Sequence, residues 1–276
     1  MTDEADVVTP QHPPNASNAE VLPADETVAP RFGALKASFA LVFLIIGQMV
    51  AGIVVVIAGM IVAVVRGRDI SDPSFSASLV RETVAPLLLA SAAVSVLVVF
   101  AVTRAWAWHL VRDKGSDLGM TAVGWSRTLS WCAAGASVAA AYVFVAPRII
   151  PFDPSTPLGP LASAASRGGV DRLAWAILAL VFAPLVEEFF FRGLLLAGFA
   201  HSWGSRASAI AVTVLFVLLH LFETFRYWPA TVAVTLLAVG ALAARRSTGS
   251  LWPAVTFHWG YNFVIVLSAF LVRGTT

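Results

Sequence analysis

Three charged side chains interrupt a long apolar stretch of the sequence: Glu187, Glu188 and Arg192. A charge at the centre of a membrane helix costs about 2.5–3.5 kcal/mol on insertion scales, so these groups should face protein or water. Glu188 and Arg192 are four residues apart, share one helix face and can pair directly. Glu187 points about 100° away from Glu188 around the helix. It therefore stays available for acid–base chemistry.

Two other apolar stretches also carry polar side chains within motifs of four-residue spacing. FVLLH places Phe216 and His220 four residues apart, and HWGYN does the same for His258 and Asn262. A lone histidine in an apolar helix is commonly a hydrogen-bonded structural residue, and a Glu–Arg pair commonly locks a helix bundle. Two glutamates, two histidines and an asparagine, carried by three membrane helices, favour a functional site instead.

Membrane helices must hold these residues, and the composition predicts such helices. The chain has 276 residues, of which 58% are hydrophobic and 12% charged, with a mean hydropathy of +0.82. A soluble domain carries about 25% charged residues. The composition therefore excludes a cytosolic enzyme, a disordered protein and a nucleic-acid binder. Cys132 is the sole cysteine, which excludes an intrachain disulfide.

The fold class predicted is an all-α polytopic membrane protein, a bundle of about seven transmembrane helices with a central polar site. An eighth span arises if residues 148–171 contain a re-entrant piece, although residues 151–160 indicate an extended loop. The segment 106–125 is expected at the membrane interface or as a polar loop. The seven predicted spans are Ala37–Val65, Thr83–Thr103, Thr128–Pro147, Leu173–Ala200, Ala207–Phe222, Tyr227–Ala244 and Ser247–Val272.

Three regions are predicted along the chain. Residues 1–32 form an acidic tail that reads as disordered, residues 33–150 supply the first transmembrane helices and an interfacial loop, and residues 170–273 form the core that carries the site. The basic residues divide nearly evenly between the two sides, with a faint excess that favours a cytoplasmic N-terminus.

Seven straight helices would place the two histidines at different depths. His220 lies near the end of the fifth span and His258 near the start of the seventh, and those spans run parallel. For the histidines to meet, residues 221–229 are predicted to dip inward and line a water-filled funnel. Irregular backbone is tolerated inside a membrane only where it faces protein or water.

The three motifs, in their order along the chain, resemble those of a known family. EEFFFR at Glu187–Arg192, FVLLH at Phe216–His220 and HWGYN at His258–Asn262 are similar to the motifs of the CPBP intramembrane proteases. That family includes the CAAX prenyl endopeptidases and the bacterial Abi-type proteins. The resemblance covers about residues 170–265 and implies an intramembrane endopeptidase of a bacterial plasma membrane.

The resemblance also implies roles for the charged triplet. Glu187 would activate the attacking water, and Glu188 would be the second glutamate of the motif, held by Arg192. The expected substrate is a membrane-embedded peptide or protein, and the expected surroundings are the lipid bilayer, with no nucleic-acid partner.

The remaining site residues implied are His220, His258 and Asn262. His220 would orient the water or protonate the leaving nitrogen, while Asn262 with His258 would donate hydrogen bonds to the oxyanion. The favoured mechanism requires no cofactor. The alternative places zinc or another divalent metal on Glu187, His220 and His258, three ligands with water in the fourth position.

Two other functions fit the same residues. A non-catalytic bacteriocin-immunity or scaffold protein could use the same fold. A proton-coupled transporter could use buried Glu and His as a relay, but the first three spans offer no intramembrane charge to extend such a path.

Overall fold

The computed structural model describes residues 32–112, 117–153, 164–166 and 169–271, and the regular structure within them is helical throughout. Six helices are long and apolar enough to cross a membrane. They are α1 (Ala34–Val65), α2 (Phe75–Arg112), α3 (Trp125–Ile149), α4 (Gly169–Thr224), α5 (Trp228–Thr248) and α6 (Trp252–Leu271). The chain is therefore an all-α polytopic membrane protein, as the composition predicts.

Helix α4 accounts for the difference between six helices and seven predicted spans. Its 56 residues would extend about 84 Å if straight, far beyond a hydrocarbon core of about 30 Å. The helix breaks at Gly204, whose φ of 80° and ψ of 170° are not helical. The break separates a first arm (residues 169–203) from a second arm (residues 205–224), and these two arms correspond to the fourth and fifth predicted spans.

Helix α2 is longer than the sequence predicted. It continues past the expected end at Thr103 to Arg112, and the Arg104 guanidinium lies 5.4 Å from the centre of the Trp108 ring in this extension. Residues 117–124 then form a loop before α3. Of the two alternatives predicted for residues 106–125, a polar loop is found only at residues 117–124. An interfacial position stays a prediction for the helical part, because arginine and tryptophan are both compatible with a helix at the membrane interface.

Helices α3 and α6 approach each other closely through two glycines. A β-carbon at Gly135 would lie 1.9 Å from the backbone oxygen of Phe257, and one at Gly260 would lie 2.2 Å from that of Cys132. Small residues of this kind allow the backbones of membrane helices to meet. The contact fixes α6, which carries His258.

The turn before α6 is formed by Gly249 and Ser250. Gly249 adopts a left-handed conformation with φ of 68°, and the Ser250 hydroxyl accepts a hydrogen bond from the Trp252 N–H at 3.3 Å. The loop 117–124 covers this turn, since the Leu251 N–H donates to the Gly119 carbonyl at 2.6 Å. Helix α6 therefore begins beneath a covering loop rather than at an open end.

The prediction that residues 221–229 leave the helix and dip inward is wrong. The second arm of α4 continues to Thr224, residues 225–227 form a turn, and α5 begins at Trp228. The hydroxyls of Thr224 and Thr231 meet across that turn at 3.0 Å. Phe216, one helical turn before His220, lies level with His258, with ring centres 6.2 Å apart. The two histidines thus approach each other on either side of Phe216 without an irregular segment at residues 221–224.

Two predictions lie outside the described residues. The acidic tail predicted for residues 1–32 does so except for Phe32, which is buried. The extended loop predicted for residues 151–160 is described only to Asp153.

Candidate active site

A fully buried cluster links α4 to α6 through Glu188. Its Oε1 atom lies 3.2 Å from Nη1 of Arg192 and accepts a hydrogen bond from Nδ1 of His258 at 2.8 Å. The Glu188 and Arg192 side chains have no exposed surface, and Arg192 also donates to the Ala238 carbonyl of α5 at 2.9 Å. This inner cluster (Glu188, Arg192 and His258) connects three helices, and the Glu188–Arg192 pair forms at the spacing that predicted it.

Glu187 and His220 form a separate pair that is accessible from outside the bundle. Oε2 of Glu187 lies 3.7 Å from Nε2 of His220, and the two side chains are 30% and 26% exposed. The Glu187 oxygen has no hydrogen-bond partner among the residues that the structure describes. This outer pair (Glu187 and His220) therefore combines two partly exposed side chains with a buried carboxylate oxygen that has no hydrogen-bond partner in the described part of the chain.

A hydrogen bond to the backbone sets the tautomer of His220. Its Nδ1 lies 2.8 Å from the Phe216 carbonyl oxygen. A carbonyl can only accept, so Nδ1 carries the proton, and Nε2 of the neutral ring holds a lone pair. That lone pair faces Glu187, whose carboxylate oxygen is also an acceptor. Because both facing atoms can accept a hydrogen bond when the ring is neutral, a single donor such as a water molecule can bond to both.

The Phe216 ring lies between the inner cluster and the outer pair. It stacks on His220 with ring centres 4.4 Å apart and meets His258 edge-on at 6.2 Å. The Arg192 guanidinium carbon lies 4.4 Å from the centre of the same ring, within the range of a cation–π contact. Phe216 is fully buried and holds both histidines in defined positions.

Asn262 is bound to a different part of α4. Its Nδ2 donates to the Ala179 carbonyl at 2.8 Å. Ala179 precedes Pro184 in the first arm, within a π-helical stretch at Leu178–Phe182. His258 and Asn262, four residues apart on α6, therefore contact α4 at two different positions, Glu188 and Ala179.

Irregularities in α4 surround the glutamates. Pro184 lies inside the first arm, and a second π-helical stretch, Phe189–Leu195, begins directly after Glu188. Wider turns of this kind occur frequently at functional sites because they leave backbone groups to be satisfied by other partners. Here Arg245 of α5 donates from Nε to the Arg192 carbonyl at 3.3 Å. The neighbouring helices thus stabilise the irregular backbone that presents Glu187 and Glu188.

The alternative metal site requires three ligands close together. Within the described ranges, no three His, Cys, Asp or Glu side chains are grouped so that they could hold a metal ion. Of the ligands considered, Glu187 and His220 face each other, whereas His258 binds Glu188 through Nδ1 and keeps Nε2. The carboxylate nearest to His258 is also bound to Arg192, a poor neighbour for a cation.

The structure brings five of the six predicted site residues into two adjoining groups. The sixth, Asn262, belongs to neither group and is hydrogen-bonded to the Ala179 carbonyl. The sequence analysis did not predict that Phe216 of FVLLH packs between the two histidines. It also did not predict that Arg192 donates a hydrogen bond to the Ala238 carbonyl. The small residues Gly135 and Gly260 within apolar spans were a signal of close helix packing. No sequence signal indicates a backbone carbonyl as a partner.

The fold and the site define a polytopic α-helical membrane protein with a carboxylate–histidine centre inside its bundle. Residues 169–264 match the family model described as type II CAAX prenyl endopeptidase Rce1-like. This segment is thus similar to the CAAX-type intramembrane proteases that the three motifs resemble. The matched residues agree within one position with the segment predicted from the three motifs. The chain matches no curated protein and no solved structure.

Proposed function

We propose that this protein is an intramembrane endopeptidase that hydrolyses a peptide bond of a membrane-associated peptide or protein, with Glu187 as the base that activates water. The observation that carries the proposal is the outer pair: the partly exposed side chains of Glu187 and His220 face each other at 3.7 Å, and the Glu187 oxygen has no hydrogen-bond partner within the described residues. The family match supports peptidase activity in general.

The reaction follows from the geometry of the outer pair. A water molecule that donates one hydrogen to Glu187 and the other to Nε2 of His220 directs its own lone pair toward a substrate carbonyl. As the water oxygen bonds to the carbonyl carbon, its proton passes to the Glu187 carboxylate. The tetrahedral intermediate then breaks its C–N bond, and the same proton passes to the leaving nitrogen. One water is consumed, and a carboxylic acid and an amine result; the acid then releases its proton to solvent or to the amine.

The inner cluster supports this chemistry without joining it directly. Arg192 balances the charge of Glu188, so the carboxylate of Glu187 is the one left for proton transfer. A buried pair that is hydrogen-bonded on several sides holds its geometry strongly. Oxyanion stabilisation by His258 and Asn262 stays a prediction, and one amide hydrogen of Asn262 remains for it after the bond to Ala179.

The test compares the peptides released in membranes that contain either the wild-type protein or Glu187→Gln. The substitution keeps the shape of the side chain and removes the base, so we expect at least one product to disappear. His109→Gln is the matched control, because His109 is exposed on α2, outside both groups of site residues. If the products are the same with and without Glu187, the chain is not a Glu187-dependent protease, and a non-catalytic immunity or scaffold role is favoured.

We further propose that the reaction requires no metal ion. The support is that no three His, Cys, Asp or Glu side chains are grouped as metal ligands within the described part of the chain. Product formation should therefore persist after prolonged dialysis against a strong chelator. Loss of the product on chelation, with recovery on added zinc, would overturn this part of the proposal.

The orientation proposed is a cytoplasmic N-terminus in a bacterial plasma membrane. The support is the small excess of arginine and lysine on the N-terminal side of the seven crossings. A cysteine placed at position 67, in the exposed turn after α1, should be labelled by an impermeant thiol reagent from outside intact cells. Labelling of that position only after lysis would reverse the orientation.

A further inference from the structure

We infer that Asn262 is a positioning residue that replaces a backbone donor removed by Pro184 and thereby holds the bend of α4 that presents the glutamates. The bond itself is a claim about the fold. Its consequence for Glu187 rests on the proposed function.

Pro184 removes one hydrogen bond from α4 at an identifiable carbonyl. The stretch Leu178–Phe182 is π-helical, and the Ala183 N–H donates to the Leu178 carbonyl, five residues earlier. In that register the next donor would be residue 184, and its acceptor would be the Ala179 carbonyl. Proline has no N–H, so the Ala179 carbonyl has no donor from its own helix in this register.

Asn262 supplies the donor that the helix lacks. Its Nδ2 lies 2.8 Å from the Ala179 oxygen, across the contact between α6 and the first arm of α4. In a membrane, a freed backbone carbonyl has little water to bond to and must be satisfied by a neighbouring side chain. The position of the acceptor, five residues before the proline, is the one that the register requires.

This bond fixes the relation between α6 and the part of α4 that carries the site. Pro184 is fully buried and lies three residues before Glu187 and one turn before Glu188. Helix α6 also supplies His258, which binds Glu188 directly. The two bonds hold α4 on both sides of the bend, so loss of the Asn262 bond releases the segment that orients Glu187 toward His220.

A double-mutant cycle between Asn262→Leu and Pro184→Ala tests the inference. Asn262→Leu removes the donor with little change in volume, and Pro184→Ala returns a backbone N–H to the helix. Thermal unfolding of the purified full chain in detergent is the first readout, because it does not depend on proteolysis. We expect Asn262→Leu to lower the melting temperature by several degrees in the Pro184 protein and by less than half as much in the Pro184→Ala background.

Thr256→Val is the matched control for the cycle. Thr256 also lies on α6 and donates to a backbone carbonyl, that of Thr128 at 3.1 Å, but this contact is with α3. Its effect on the melting temperature should be the same in both backgrounds. If Asn262→Leu and Pro184→Ala are additive, as the control should be, the inference is overturned.

A second readout reports on the site itself. A hydrophobic carbodiimide modifies carboxyl groups inside membranes, and mass spectrometry gives the rate of labelling at Glu187 as a function of pH. Asn262→Leu should shift this pH profile, and adding Pro184→Ala should return it toward that of Pro184→Ala alone. An unchanged profile would show that the bond stabilises the fold without positioning Glu187. Either outcome is independent of whether the chain proves to be a protease.

Discussion

Two adjacent glutamates have opposite environments, and this difference is the basis of the proposed chemistry. Glu188 is fully buried between Arg192 and His258, whereas Glu187 is 30% exposed and faces His220. The two residues are of the same type, so their different surroundings make Glu188 a structural residue and leave Glu187 as the proposed reactive one. Adjacent positions on a helix diverge by about 100°, which is how a dipeptide can serve both roles.

Replacing Glu187 should change activity and leave stability nearly unaffected. Glu187→Gln removes a base that contributes about 10²–10⁴-fold to a rate, so product formation should fall by that factor. The free energy of unfolding should change by about 0.5 kcal/mol or less, because the Glu187 Oε2 atom has no hydrogen-bond partner within the described part of the chain. Rates of product release and denaturation in micelles measure the two effects. A large loss of stability would place Glu187 in the structural cluster.

Replacing Arg192 should have the opposite effect. Arg192→Met leaves Glu188 as an uncompensated buried charge, which costs about 3–5 kcal/mol of folding free energy. Adding Glu188→Gln removes that charge and should restore part of the loss. Denaturant titrations of the two single variants and the double variant give the coupling. Losses that simply add would contradict a direct pair.

At the scale of the helices, glycines set the spacing on which the site depends. Gly260→Ala would place a β-carbon 2.2 Å from the Cys132 backbone oxygen, so α6 must move away from α3. Overpacking of this kind costs about 1–3 kcal/mol, and the shift should also lower activity because α6 carries His258. Gly124→Ala is the control, since nothing lies within 4 Å of its added β-carbon and its φ is −58°. Equal melting temperatures for the two variants would contradict the packing.

The break in α4 should depend on Gly204 for a conformational reason alone. An added β-carbon meets no atom within 4 Å, but the φ of 80° and ψ of 170° lie in a region that is almost restricted to glycine. Gly204→Ala should therefore cost about 1–3 kcal/mol of unfolding free energy, measured by denaturant titration. A neutral effect would show that the two arms join through an ordinary helical turn.

At the scale of the whole molecule, the sequence was sufficient where patterns were local. Hydropathy located the spans, and four-residue spacing paired Glu188 with Arg192. These features depend on a few neighbouring residues and on the cost of burying charge. They need no knowledge of how distant helices meet.

The relations between distant helices could not be predicted in the same way. The depth of His258 depends on a covering loop that bonds to Leu251, and the partner of Asn262 is a carbonyl freed by a proline 78 positions earlier. Straight-helix reasoning therefore predicted an inward dip at residues 221–229, where the structure has an ordinary turn. Which side chains meet depends on the residue at which each helix begins and on how far neighbouring helices are shifted along their axes.

The most direct test of the account is hydrolysis in ¹⁸O-labelled water by the purified full chain in lipid vesicles, with a peptide identified from the membrane comparison as substrate. The account predicts that one ¹⁸O atom enters the new C-terminal carboxylate with the wild-type protein, and that no cleavage occurs above background with Glu187→Gln. Cleavage at the wild-type rate by Glu187→Gln would contradict it.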